Sequence, residues 1–329
     1  MASTVFVAVE INAFRYFAPL WRRWLLAGRA GWKVVLGDMA AVHCRRDGIL
    51  GNLPVSAILP KNATGVTWPL DDPDADRVVV SAGDSYAIER AVVGWARGQG
   101  VPSLQVVDTW YNYALRFARA TPDEMPDRIG VIDATAVAEA TAEGLPADKI
   151  VAVGQPAWEE APALPRPTRK RTLFLGAPVA RDFGRTLGYD EWEALDVVRD
   201  VAKRRPDLTG ELLFGPHPVQ RDTPPDRLSP ASIVNDSMAA LRDVEIVLGM
   251  FSSPMVDALL GGRKVISVQP GNVERDMCPL SRHGRIPRAR DAASLERALG
   301  EISGDGEALR RDLLGSCDRL EAAIMAMTT

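Results

Sequence analysis

Two short segments bring together residue types that bind anions. Gly215-Pro216-His217-Pro218 follows the run Glu211-Leu212-Leu213-Phe214, and Phe251-Ser252-Ser253-Pro254 follows Val244-Glu245-Ile246-Val247-Leu248-Gly249-Met250. A parallel α/β sheet opens its ligand crevice beyond the carboxyl ends of its strands, where hydroxyls, imidazole nitrogens and the N–H groups of a following helix converge on phosphate oxygens. Pro216 and Pro218 fix the backbone on either side of His217 and limit the space its ring can search. An imidazole held in this way donates a hydrogen bond to a pyrophosphate and stabilises a departing nucleotide. The plainer alternatives are that His217 is a satisfied strand-end residue and that Ser252 and Ser253 are a helix N-cap and its neighbour. A capping serine also stands beside the helix N–H groups that would meet an anion, so the two readings of the pair are compatible. Gly249 is expected to let its strand turn toward the ligand. Gln269, in the strand-end segment Ser267-Val268-Gln269-Pro270-Gly271, is expected to touch the ligand or to close a cleft.

A His-Pro element after one strand, followed about thirty-five residues later by a Ser-Ser element opening a helix, resembles the nucleotide-binding half of the bacterial sialyltransferases. It is also similar to the CDP-glycerol-type polyol-phosphate transferases, and the similarity spans residues 209 to 271. The resemblance implies an α/β protein of two Rossmann-like domains facing a central cleft, the B-type glycosyltransferase fold. It further implies that His217, Ser252 and Ser253 meet the phosphates of a cytidine-linked nucleotide-sugar co-substrate, a CMP-sugar, with neither a bridging metal nor a resident cofactor.

Such a transferase needs a carboxylate in its amino-terminal half to take a proton from the acceptor. Asp108 is the first candidate, within Val107-Asp108-Thr109-Trp110-Tyr111-Asn112-Tyr113. There Trp110, Asn112 and Tyr113 suit a sugar, aromatic faces meeting the ring and polar tips its hydroxyls. The same segment also reads as an Asp N-cap to a helix whose aromatics enter the core. Glu10, directly after the first strand, is the second candidate, and Asp84 in Ser81-Ala82-Gly83-Asp84-Ser85 the third. The local motifs of the transferase families are not matched around Asp108 or Glu10.

The elements that must position these residues follow from hydrophobic periodicity. Strands are predicted over 5–9, 33–36, 77–81, 103–107, 128–132 and 149–153, with an amphipathic helix carrying Phe17, Leu20, Trp21, Trp24 and Leu25 after the first. A second series is predicted over 172–175, 211–214, 232–234, 244–248 and 264–268, with terminal helices over 292–326. Strand–helix alternation of this kind builds mainly parallel sheets. The intervening stretch holds Pro156, Pro162, Pro165 and Pro167, which cannot form a regular helix or central strand. The expected organisation is therefore an acceptor-side domain over 1–155, a linker over 156–171 and a nucleotide domain over 172–329.

At 329 residues, 47% hydrophobic and 25% charged with a formal net charge of −4, two globular domains are expected. Cys44, Cys278 and Cys317 have neither disulfide-framework nor zinc-ligand spacing, which fits a reducing cytoplasm. No run of about eighteen apolar residues is present, and the first strand is too short for a signal-peptide core. Nucleic acid is not expected as a partner, since Arg169-Lys170-Arg171 is an isolated basic triplet in an acidic chain. Asp71-Asp72-Pro73-Asp74-Ala75-Asp76 lacks a calcium-loop pattern and is read as a solvated loop. Neither a phosphate-binding loop with Lys-Ser/Thr nor a first-strand dinucleotide fingerprint occurs. The leading expectation is a cytoplasmic, metal-independent glycosyltransferase of polysaccharide biosynthesis. It would move a sugar, a nonulosonic or other acidic one among the candidates, from a cytidine nucleotide to a glycan or other hydroxyl acceptor. A nucleotide-sugar epimerase or hydrolase and a non-catalytic carbohydrate- or nucleotide-binding protein are the alternatives. Peripheral membrane association and oligomeric state stay open.

Overall fold

Continuous apolar runs become strands covered on both faces. In β1 (Thr4–Ala8) all five residues are buried, the pattern of a parallel sheet sandwiched between helices. The computed structural model describes residues 3–60, 75–81, 87–220, 228–271, 276–301 and 304–327. β1 is joined by β2 (Trp32–Gly37), β3 (Val55–Leu59), β4 (Arg77–Ser81), β5 (Ser103–Val106), β6 (Arg128–Val131) and β7 (Ile150–Ala152). These pair in parallel in the order β3-β2-β1-β4-β5-β6-β7. A second parallel sheet contains β8 (Arg171–Leu175), β9 (Glu211–Gly215), β10 (Ser232–Ile233), β11 (Ile246–Gly249), β12 (Lys264–Val268) and β13 (Arg288–Ala289). Its order is β10-β9-β8-β11-β12-β13. Both sheets are Rossmann-like, as expected, and each reverses its strand order once, at β1/β4 and at β8/β11. Ligands of open α/β sheets bind outside the carboxyl ends of strands at such reversals.

The units are Met1–Glu160 with Asp312–Thr329, and Ala161–Arg311. These bounds differ from the expected 1–155, 156–171 and 172–329 in two places. Residues 156–159 form the short helix Pro156–Glu159, capped by the Gln155 side chain accepting from Ala157 N, and Trp158 is buried in the first unit. Pro156 fits because the first helical residue needs no N–H partner. The chain also returns at its end, so the expected carboxyl-terminal domain loses its last helix to the first unit.

That helix, Ser316–Met325, sends Leu320 and Ile324 into the core with Phe6, Phe17, Trp21 and Trp24. These aromatics come from β1 and the helix Ile11–Leu26, and the Phe6 ring meets those of Phe17, Trp21 and Trp24 edge-on at 5.4–5.7 Å. Glu321 accepts from Trp24 Nε1 at 3.0 Å and pairs with Arg23 and Arg29. Buried Arg77 donates to the Ile324 carbonyl at 2.8 Å. At the helix start Gln155 N donates to Ser316 Oγ at 3.0 Å. Gly154 makes that approach possible. Its φ is +87°, and a Cβ there would stand 2.3 Å from Ser316 Oγ.

Candidate functional site

The loops leaving β8 and β11 flank the reversal of the second sheet. After β11 come Met250, which is buried, and half-buried Phe251, Ser252 and Ser253, before the helix Pro254–Leu260. Ser253 already has helical φ and ψ, and its hydroxyl makes no capping hydrogen bond. The cap reading of the pair is thereby corrected in detail. The first N–H groups of the helix are also taken, Met255 N donating to the Ser252 carbonyl at 3.0 Å and Val256 N to that of Ser253 at 2.9 Å. Ser hydroxyls, rather than helix N–H groups, are what this loop offers an anion.

Gly249 stays in the strand, paired with Leu175 and Ser267. A Cβ there would lie 3.1 Å from Met255 Sδ and 3.3 Å from Leu175 Cβ. Close packing, not a turn, is why the position holds glycine. Gln269 is fully buried and occupied: its amide donates to Ser267 Oγ (2.8 Å) and Asp276 Oδ1 (2.6 Å), and its oxygen accepts from Met277 N (3.0 Å). It ties the loop after β12 together, and the expectation of a ligand contact is replaced by that structural role.

His217 follows β9, one strand out from β8, and is half-buried. Val219 N approaches its Nδ1 at 3.5 Å, a weak contact. Burial lowers the imidazole pKa below its ordinary value of 6.5, the Arg181 charge lowers it further, and Asp182 opposes both. Without a ligand the ring is therefore neutral at neutral pH, able to donate from one nitrogen and accept at the other. Arg181 and Asp182 belong to the short helix Val179–Phe183 that follows β8, and they pair with each other at 2.7 Å. Sequence reasoning passed over them, as it did Gln220 and Glu191, which are both buried behind the His217 loop. An Arg-Asp pair beginning three residues past a strand-end Ala-Pro was the available signal for the first two.

In the first unit the reversal lies between β1 and β4. Glu10 is half-buried at the N-cap position of Ile11–Leu26, where its side chain makes no capping bond. Asp84 lies outside the described residues. Asp108 follows β5, one strand beyond β4, so Glu10 and Asp108 share the carboxyl edge of this sheet. The Asp108 side chain is 17% exposed, and its carboxylate stands 3.6 Å from Arg116 Nη2. Arg116 is buried, donates to Thr109 Oγ1 at 2.9 Å and lies over the Tyr111 ring at 6.0 Å. Burial, reinforced by the Asp108 charge, raises the pKa of the Tyr16 hydroxyl, which donates to the Gly154 carbonyl at 3.0 Å.

The aromatics of this segment are placed as packing residues. Trp110 is 3% exposed, donates its indole N–H to Asp133 Oδ2 at 2.8 Å and stacks on Trp158 with 5.1 Å between centroids. Tyr113 is fully buried, its hydroxyl 3.3 Å from Glu139 Oε2. Asn112 is half-buried with φ 59°, a left-handed conformation that Asn adopts more readily than most residues, and its carbonyl accepts from Arg116 N at 3.1 Å. That turn brings Arg116 back to Asp108.

Among the described residues no group of three or more His, Cys, Asp or Glu gathers as cation ligands, and no helix is long and apolar enough to cross a membrane. A groove of about 720 Å³ lies at the opposite, amino-terminal edge of the second sheet, lined by residues that include Asp196, Arg199, Lys203 and Glu211. Its charges are of mixed sign.

No family model matches the chain, and no curated protein sequence matches it. Solved structures do share its architecture. The UDP-GlcNAc 2-epimerase from Neisseria meningitidis, bound to UDP-GlcNAc, covers 99% of this chain and 100% of its own with a TM-score of 0.68 at 12% identity. The fold is shared. The UDP-GlcNAc 2-epimerase from Methanocaldococcus jannaschii gives a TM-score of 0.62 at 14% identity, covering 94% and 98%. An Anabaena protein in complex with UDP and glucose gives 0.64 at 8%, covering 99% and 100%. These likenesses correct the expected resemblance to sialyltransferases and CDP-glycerol-type transferases, and with it the cytidine nucleotide and the glycosyltransferase activity. The phosphate oxygens that the His-Pro and Ser-Ser elements were expected to meet are carried by every nucleotide, so that expectation selects neither a base nor a reaction.

Proposed function

We propose that the protein binds a UDP-linked sugar and inverts a carbon of its ring, with carbon 2 of an N-acetylhexosamine as the best-supported target. The observation that carries this reading is the position of Ser252-Ser253 at the β8/β11 reversal, with His217 one strand away. It occurs in a fold shared along nearly the whole chain with a UDP-GlcNAc 2-epimerase bound to UDP-GlcNAc. In this reading the two serine hydroxyls and the imidazole, which gains a proton as the diphosphate arrives, hold the diphosphate by hydrogen bonds to charged oxygens.

Inverting carbon 2 breaks its C–H bond, and with no carbonyl beside it the electron pair must form a C1–C2 double bond as the C1–O bond breaks and UDP leaves. Return of a proton to the other face of carbon 2 and of UDP to carbon 1 completes the inversion, and both proton steps are work for groups with accessible proton affinity. Asp108 is assigned to proton transfer, with Glu10 and Asp84 as the other carboxylates that follow strands of the first sheet. Arg116 holds the Asp108 carboxylate in orientation.

The test is to incubate the protein with UDP-GlcNAc in D₂O and follow the anomeric protons by NMR. The expected result is a second set of nucleotide-sugar signals from the 2-epimer, with deuterium entering carbon 2. UDP with free sugar as the only products would make the enzyme a hydrolase, and UDP binding without turnover would leave a nucleotide-binding protein. Failure to bind either UDP or UDP-GlcNAc in calorimetry would overturn the reading.

A further inference from the structure

His217 does not owe its position to its two prolines alone. Gln220 brackets it: the Gln220 N–H donates to the His217 carbonyl at 2.7 Å, and Gln220 Oε1 accepts from the His217 N–H at 3.1 Å. The other end of the same amide faces inward. Gln220 Nε2 donates to the Ala177 carbonyl and to Glu191 Oε1, each at 3.3 Å, while Glu191 Oε2 accepts from Ala180 N at 2.8 Å. One amide and one carboxylate, both 7% exposed, thus connect the loop after β9, the loop after β8 and the first residue of the helix Glu191–Arg204. Gly176 adds an independent mark of this arrangement. A Cβ at that position would stand 2.4 Å from Gln220 Oε1, so the side chain at the end of β8 is left out where the amide enters.

We infer that Gln220 and Glu191 form a buried amide–carboxylate clamp that positions the His217 imidazole for the diphosphate of the bound nucleotide. The inference rests on the nucleotide reading of the site and deepens it. Neither residue touches ligand in this scheme; both act through the loops they hold. Buried polar groups with every partner in place rigidify the segments they join, and removing one member strands the others without water. The charged groups acting on the ring are Arg181 and Asp182 from the helix after β8, with Glu191 behind the amide. Loosening the clamp would let water reach the ring and move its titration back toward the ordinary value.

The experiment combines a titration with a double-mutant cycle. The chain has three histidines, so the His217 ring proton is assigned in NMR spectra by its loss in His217→Ala. The His217 titration is then compared between wild type and Gln220→Leu without ligand. UDP affinity is measured by calorimetry for wild type, Gln220→Leu, His217→Ala and the double variant. We expect a higher His217 pKa in Gln220→Leu. UDP binding should be about tenfold weaker, and the effect should shrink to within about twofold when His217 is already Ala, as coupled residues require. A general packing role would leave the titration in place and the two losses additive, and that result overturns the inference. Should Gln220→Leu not fold, Gln220→Asn keeps the amide but shortens its reach to Ala177, and Glu191→Gln keeps the volume; either carries the same two readouts. If wild type does not bind UDP, the nucleotide reading falls, and the ligand-free titration still decides whether the clamp sets the state of His217.

Discussion

In the proposed site, the imidazole of His217 is the group whose ionisation would respond most directly to a bound diphosphate. Burial and Arg181 hold its pKa below 6.5 in the free protein, so the unfolded chain binds this proton more tightly than the folded one. Its contribution to stability is present above about pH 6.5 and is lost as pH falls through the folded value. An arriving diphosphate reverses the bias, since negative charge favours the imidazolium. Binding of UDP-GlcNAc should therefore strengthen as pH falls from 7.5 toward 6 and should take up protons. Calorimetry in buffers of different ionisation enthalpy reads the uptake, and the His217→Ala profile should be flat. Asp108→Asn tests the other residue assignment. Because Arg116 is buried beside that carboxylate, the substitution should cost about 3 kcal/mol of stability as well as about 10²–10⁴ in kcat. Urea unfolding and steady-state turnover measure the two losses, and the affinity for UDP should remain within about twofold. His217, Ser252, Ser253 and Asp108 could be placed at strand ends from the sequence, because such positions follow from local pattern. Arg116, Gln220 and Glu191 could not be picked, since their partners lie on other elements or across a turn that only the left-handed Asn112 creates.

Elements were legible where a strand is covered on both faces and obscure where it is not. β1, β4, β8 and β11 each read as a strand from a run of three or more apolar residues, and β12 from Val265-Ile266 and Val268, whereas β3 was missed because four of its five residues are at least partly exposed at the sheet edge. β13 is only two residues long, too short to carry a period. The membership of the last helix was equally hidden, because an apolar stripe does not say which sheet it will cover. That docking makes Gly154→Ala informative: the substitution forces a Cβ against Ser316 at a φ that suits glycine. It should cost about 2 kcal/mol or more, read as a lower denaturation midpoint with unchanged secondary-structure content. At the helix Pro254–Leu260 the opposite outcome is expected. Ser253 does not cap it, so Ser252→Ala/Ser253→Ala should change stability by less than about 0.5 kcal/mol. UDP binding should weaken by roughly 1.5–3 kcal/mol for each hydrogen bond to phosphate removed. A large fall in melting temperature with unchanged affinity would return the pair to a structural role.

Over the whole molecule, the α/β class and the two Rossmann-like sheets were readable because strand–helix alternation is written along the entire chain. The identity of a nucleotide was not, since His-Pro and Ser-Ser elements would contact only the portion common to all nucleotides. Ligand linkage offers a check on which unit holds it. UDP at about one hundred times its Kd should stabilise residues 161–311 by about 2.7 kcal/mol. Hydrogen exchange should show slowed amides around His217 and Ser252. Protection confined to residues 1–160 would contradict the assignment of the diphosphate to the second sheet. The returning helix has a further consequence, for biosynthesis. The ribosome makes β1 to β7 first, but the helix that covers Trp24 and Phe17 emerges only after every strand of the other sheet. The nascent first unit must therefore wait with part of its aromatic surface uncovered, while residues 161–311, contiguous in the chain, can complete their own core. The order of translation and the order of completion are inverted, and the exposed aromatic face makes the waiting half the natural client for a chaperone.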